Sequence, residues 1–158
     1  DYKIIIAPHE TEVQHCRQIL ELFKNGAVLY SELSAENVKE KEVLVIDNQG
    51  MLSSLYRYAD IAIIGGGFGK GIHNILEAAT FGMPILFGPN YKKFQEANDL
   101  IQLGGASTFS NSNDLGNSIH ELSTNAHALE ERARITKQYI ADNTGATEII
   151  LEYLKKSL

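Results

Sequence analysis

Residues 61–77 read Ile61-Ala62-Ile63-Ile64-Gly65-Gly66-Gly67-Phe68-Gly69-Lys70-Gly71-Ile72-His73-Asn74-Ile75-Leu76-Glu77. Ile61–Ile64 is apolar without alternation, which predicts a short strand covered on both faces. The glycines behind it let the backbone turn sharply and approach a ligand closely. From about Ile72 to Phe81 the pattern predicts a helix. Its first N–H groups and its dipole would face the glycine turn, an arrangement suited to a phosphate or carboxylate.

Outward from this stretch the same alternation recurs. Upstream, Lys3–Ala7 predicts a buried strand ended by Pro8. Thr11–Asn25 carries Val13, Cys16, Ile19, Leu20 and Phe23 at helical spacing, with Gly26 where a helix stop belongs. Ala27–Tyr30 is a weak strand, Ser31–Lys41 a polar loop, Val43–Ile46 a strand and Met51–Tyr58 a short helix. Downstream follow a strand at Pro84–Phe87, a helix at Phe94–Leu103 and a last strand at Ala106–Phe109. From Ser112 the chain reads as helical, with a turn at Asn143–Gly145. Short strands alternating with helices predict an α/β fold, a Rossmann-like parallel sheet with helices on both faces. Such sheets bind ligands at the carboxyl ends of their strands. That singles out Pro8–Glu10, Asp47–Met51, Gly65–Gly71 and Gly88–Tyr91. No repeat or linker interrupts the pattern. Residues 1–158 are therefore expected to form one domain, with 126–158 a helical tail that packs and carries no chemistry.

Composition narrows the function. With 44% hydrophobic and 22% charged residues, the chain is not disordered. Its apolar runs are too short to cross a bilayer. Fourteen basic against 20 acidic residues give a net charge of −6, which argues against a general nucleic-acid binder but leaves room for one small anion site. A single cysteine excludes an internal disulfide and a cysteine-rich zinc site. The chain begins at Asp1 rather than methionine, and is expected to be an excised domain.

Two familiar phosphate motifs fail. In the frame of Gly69-Lys70, the P-loop puts its first glycine on Ile64, and Gly71 stands where it needs Ser or Thr. The dinucleotide fingerprint ends on Lys70 or on Ile72 instead of glycine. What remains is a glycine loop followed by Asn74 and Glu77, which share a helix face at i, i+3. A Glu77 carboxylate can accept two hydrogen bonds from a ribose diol, with Asn74 beside it. The structural alternative is that Asn74 and His73 cap the helix while Glu77 favours its dipole. Elsewhere the readings are plain. Cys16 belongs to the core, and His15, His120 and His127 to the surface, with no zinc spacing. Lys92 and Lys93 are either solvated or face an anion. Hydrolysis would need two facing carboxylates, and only Glu77 is well placed; no G-x-S-x-G elbow occurs.

In order, Asp47-Asn48-Gln49-Gly50-Met51-Leu52, Leu55-Tyr56, Ala59-Asp60-Ile61-Ala62, Gly65-Gly66-Gly67, His73-Asn74-Ile75-Leu76-Glu77 and Gly88-Pro89-Asn90-Tyr91 resemble the C-terminal half of the 3-deoxy-D-manno-octulosonic acid (Kdo) transferases of lipid A assembly. Ile6-Ala7-Pro8-His9-Glu10 is similar to that family's strand ending in P-R-H. The resemblance covers about residues 1–110. It implies the C-terminal half of an inverting GT-B glycosyltransferase that binds the donor CMP-Kdo, with no metal and no further cofactor at the nucleotide. It also implies that a missing N-terminal half supplies the catalytic base, the lipid A precursor site and the membrane anchor. The parent would then sit at the cytoplasmic face of the bacterial inner membrane, and this piece alone would be inactive.

Position by position, the resemblance puts Asn74 and Glu77 at the nucleotide, Glu77 holding the ribose hydroxyls. Gly66 and Gly67 match the turn under the donor, and Gly50, Met51 and Leu52 the turn against the cytosine. Pro8 and His9 match the end of the first strand, and His73 precedes the Asn74–Glu77 pair. The sequence departs from the pattern where the family has an arginine between proline and histidine; Lys70 is the expected substitute. Gly71-Ile72 stands for a glycine pair, and Ala78 for a proline. A G-S…E segment that would precede Asp1 is absent, so a first strand–helix unit is expected before it. Two rivals stay open: a GT-B donor domain for a UDP-sugar, and a non-catalytic nucleotide-binding module.

Overall fold

A computed structural model of the chain describes residues 2–157. The polypeptide forms two compact units, Asp1–Leu55 and Tyr56–Leu158. The predicted strands are all present and all parallel, paired as one three-stranded sheet in each unit.

The first unit contains β1 (Ile4–Ile6), α1 (Val13–Leu22), β2 (Ala27–Leu29), β3 (Val43–Val45) and α2 (Leu52–Leu55). The strand order is β1-β3-β2, and Ile6 and Leu29 both lie opposite Val45. Helix α1 packs on β2 and β3, and buries Cys16 with Leu29, Val43 and Val45. Cys16 is thus a core residue, as its place on the apolar stripe predicts. Burial, and next the Asp47 carboxylate, push its thiol above the ordinary range.

Two expectations are corrected here. The run Lys3–Ala7 is not buried: Ile4 and Ile5 are 44% and 40% exposed, because β1 is an edge strand paired only with β3. Gly26 is not the helix stop either. The left-handed residue after α1 is Lys24, at φ 52°. Gly26 instead starts the sheet: its carbonyl accepts the N–H groups of Glu42 and Val43 at 2.9 and 3.1 Å.

The second unit contains β4 (Ala62–Ile64), α3 (Leu76–Thr80), β5 (Ile85–Phe87), α4 (Gln95–Leu103), β6 (Ala106–Thr108), α5 (Ser112–Thr124), α6 (Ala126–Asp142) and α7 (Ala146–Ser157). Strand β5 is central and wholly buried. The long helical stretch breaks once more than expected, at Asn125, whose side chain accepts the Ala128 N–H at 3.1 Å and starts α6. Helix α6 packs on α3, α4 and α5. Its one buried polar residue is Thr136, whose hydroxyl donates to the Gly105 carbonyl at 3.3 Å or the Arg132 carbonyl at 3.0 Å. Among the described residues no helix is long and apolar enough to cross a membrane.

Candidate functional site

The glycine loop is closed by its own backbone. The Gly67 N–H donates to the Gly71 carbonyl at 2.7 Å, and the His73 N–H to the Gly65 carbonyl at 3.1 Å. These bonds bracket an antiparallel bridge between Gly66 and Ile72. The loop can take this form because Gly66 and Gly67 lie at φ +86° and +79°, where L side chains are strained. A Cβ on Gly67 would stand 2.7–2.9 Å from the backbone of Gly88. The turns that follow the paired strands β4 and β5 therefore meet backbone to backbone. Asn90 fastens them: its N–H donates to the Gly67 carbonyl at 2.9 Å, and its Nδ2 to the Gly69 carbonyl at 3.1 Å. From the loop itself, the Phe68 ring lies 5.5 Å from that of Phe109.

This closure corrects the expected helix of 72–81. Ile72 and His73 belong to the loop, so α3 starts only at Leu76 and has 5 residues. Its dipole is correspondingly short. The amides of Gly67 and His73 are engaged in the loop and are not donors for an anion.

Asn74 joins loop to helix. Its Oδ1 accepts the Leu76 N–H at 3.0 Å, an Asx turn, and its Nδ2 donates to Glu77 Oε1 at 3.1 Å. It therefore holds the helix start, as the capping alternative has it, and also orients the Glu77 carboxylate. Both side chains are exposed, and Glu77 Oε2 has no protein partner among the described residues. Burial, and next the Glu77 carboxylate, push the Tyr56 hydroxyl above the ordinary range. Tyr56 is half-buried, its ring 6.0 Å from that of Phe81 at a tilt of 36°.

The other predicted site residues lie in the first unit. Pro8 and His9 follow β1, and His9 is exposed. Gly50, Met51 and Leu52 follow β3, the neighbour of β1, with Gly50 at φ +84°. Asp47 anchors the start of that turn. Its carboxylate accepts both the hydroxyl and, at 3.1 Å, the N–H of Ser31, which stands just after β2. Burial pushes the Asp47 carboxyl up, but these bonds and its own backbone N–H outweigh that and hold it below its ordinary value.

Lys70, Lys92 and Lys93 are exposed in the second unit, at the tip of the glycine loop and after the Gly88–Tyr91 turn. His120 and His127 are exposed and His15 is half-buried. Among the described residues no group of three or more His, Cys, Asp or Glu is placed to hold a metal. The structure thus gathers Gly66, Gly67, Lys70, His73, Asn74 and Glu77 at the carboxyl end of β4. It adds two residues to which the sequence reading gave no role, Tyr56 and Asn90. Both stood inside quoted motifs, but their partners lie about 20 residues away, beyond any local periodicity.

No protein-family profile matches the chain. It is 29% identical over 98% of its length to a 3-deoxy-D-manno-octulosonic acid transferase of Rickettsia prowazekii, covering 34% of that protein. The transferase of Rickettsia typhi is 32% identical over 84% of the chain, with 29% of that protein covered. That of Haemophilus influenzae is 30% identical over 81% of the chain, with 30% covered. The chain thus spans about a third of the length of these curated relatives. Among solved structures, the C-terminal CMP-Kdo binding domain of WaaA from Acinetobacter baumannii matches with a TM-score of 0.72. Identity is 20%, over 86% of this chain and 72% of that domain, so the likeness establishes the α/β fold. By sequence, the chain belongs to the Kdo transferase family.

Proposed function

We propose that this chain is the donor-binding part of a Kdo transferase, and that the nucleotide it binds is CMP of CMP-Kdo. The observation that carries the reading is the Asn74–Glu77 pair, joined at 3.1 Å directly behind a glycine loop whose shape is fixed before any ligand arrives. Glu77, with one oxygen held by Asn74, offers the other to the ribose hydroxyls. Lys70 faces the phosphate from the loop tip and stabilises the charge left on CMP as the glycosidic bond forms. The identities to Kdo transferases in three organisms support the choice of donor. Pro8, His9, Gly50, Met51 and Leu52 are proposed as further donor contacts, and His73 as a neighbour of the ribose. The reaction is inverting transfer of Kdo to a lipid A precursor. The base, the acceptor site and the membrane contact at the inner bacterial membrane belong, in this proposal, to the rest of the longer transferase.

Calorimetric titration of the chain with CMP, 2′-deoxy-CMP, UMP and UDP tests this. CMP should bind best, and Glu77→Ala should weaken it at least about tenfold, the loss of charge-assisted hydrogen bonds. The preference for CMP over 2′-deoxy-CMP should vanish in the same variant. A preference for UDP would move the chain to the UDP-sugar enzymes. CMP binding that ignores Glu77→Ala would remove the ribose role.

A further inference from the structure

Asn90 is exposed, and both its backbone and its side chain are committed to the glycine loop. It reaches the carbonyls of Gly67 and Gly69, two peptides apart along the loop, at 2.9 and 3.1 Å. A trans peptide is planar, with its C=O and N–H pointing in opposite directions. Holding those two carbonyls toward Asn90 therefore turns the N–H groups of Phe68 and Lys70 the other way. Neither N–H donates to a protein group among the described residues, whereas the Gly67 and His73 amides are both engaged. The Lys70 backbone is fixed at its own peptide bond by a side chain 20 residues away in sequence.

We infer that Asn90 is a positioning residue for Lys70: by clamping the Gly69–Lys70 peptide it aims the Lys70 amide and side chain at the phosphate of the donor nucleotide. This rests on the donor reading above. It extends that reading to a residue which touches no ligand. An exposed lysine on a glycine-flanked tip has wide conformational freedom, and an anion site built on it gains affinity when the backbone is ordered in advance.

The test uses the 158-residue chain, with CMP and cytidine as probes. Asn90→Ala should weaken CMP about fivefold, the scale of one neutral hydrogen bond, and leave cytidine, which has no phosphate, unchanged. Lys70→Ala should weaken CMP about tenfold, and the double variant should be no weaker than Lys70→Ala alone, because Asn90 acts through Lys70. Two conservative variants separate donation from packing. Asn90→Gln keeps the amide donor on a longer arm and should recover part of the affinity. Asn90→Asp keeps the shape, loses the donor and sets a carboxylate against the Gly69 carbonyl, so it should bind CMP no better than Asn90→Ala. Additive losses, equal loss of cytidine binding, or Asp outperforming Gln would each overturn the inference. Hydrogen exchange of the ligand-free chain gives an independent arm: Asn90→Ala should speed exchange at the bonded loop amides of Gly67 and His73 but not in the helices that cover the second unit. Unchanged loop exchange would overturn the clamp even if CMP binds. A wild-type chain that binds no CMP would overturn the donor reading and the phosphate role together, whatever the loop exchange shows.

Discussion

At the scale of single residues, the loop after β4 turns on two glycines that look alike in sequence and differ in space. Gly67 combines φ +79° with backbone atoms of Gly88 2.7–2.9 Å from where a Cβ would stand. Neither defect can relax, because the neighbour is main chain. Gly67→Ala should therefore cost about 3 kcal/mol or more, a left-handed penalty added to a backbone clash. Gly69 has no atom within 4 Å of its virtual Cβ and no positive φ. Gly69→Ala should change stability by less than about 0.5 kcal/mol. Thermal melts of the two variants check the contrast; equal melting temperatures would show that the Gly67–Gly88 crossing does not constrain the fold. Composition and spacing mark both positions only as glycine. The difference comes from a turn 21 residues downstream, which no local pattern reports.

At the scale of elements, what was legible follows from local physics. Runs of four or five mostly apolar residues bounded by turn residues gave the strands, because segments that short between such breakers favour a strand over a helix. The errors lie where a distant group competes for the backbone. Residues 72–75 have helical composition, yet the Gly65 carbonyl takes the His73 N–H and delays α3 to Leu76. The strand at Ile4–Ile6 has core composition, yet its place in the pairing order leaves it at an edge. The i, i+3 spacing of Asn74 and Glu77 foretold their contact, whereas the tie between β2 and β3 through Ser31 and Asp47 spans 16 residues and was invisible. That tie has a pH signature. The Asp47 carboxyl is held below its ordinary value in the folded state, so its contribution is complete above the unfolded value near 3.8 and is lost as pH falls through the lower folded value. Ser31→Ala removes the hydroxyl bond and should cost about 1 kcal/mol at pH 7. The two proteins should converge in stability once the pH has fallen below the lowered folded-state value of Asp47, where the carboxylate is protonated in both. Chemical denaturation from pH 7 to pH 2 reads this directly; a gap that stays constant would mean that Ser31 acts through packing alone.

At the scale of the whole molecule, the two units carry unequal cores. The first buries Cys16, Leu29, Val43 and Val45 around a three-stranded sheet, with β1 exposed along its edge. The second closes Phe87, Ile75, Ile85, Leu100 and their neighbours under α3, α4 and α6. Small units bury a smaller fraction of their surface and are marginal on their own, and an exposed edge strand adds to the cost. Residues 56–158 produced alone should therefore melt in one cooperative transition, while residues 1–55 alone should show none. The ribose and phosphate contacts proposed here, Glu77, Asn74 and the Lys70 loop with its Asn90 clamp, all lie within residues 56–158. The shorter protein should consequently keep a CMP affinity that Glu77→Ala weakens at least about tenfold. A folded 56–158 that binds no CMP, beside a full chain that does, would mean that residues of the first unit make contacts the nucleotide cannot do without. Binding retained at close to the full-chain affinity would assign Pro8, His9 and the Gly50–Leu52 turn to the sugar or to the acceptor side of the reaction, and leave recognition of the nucleotide to the glycine loop and the pair behind it.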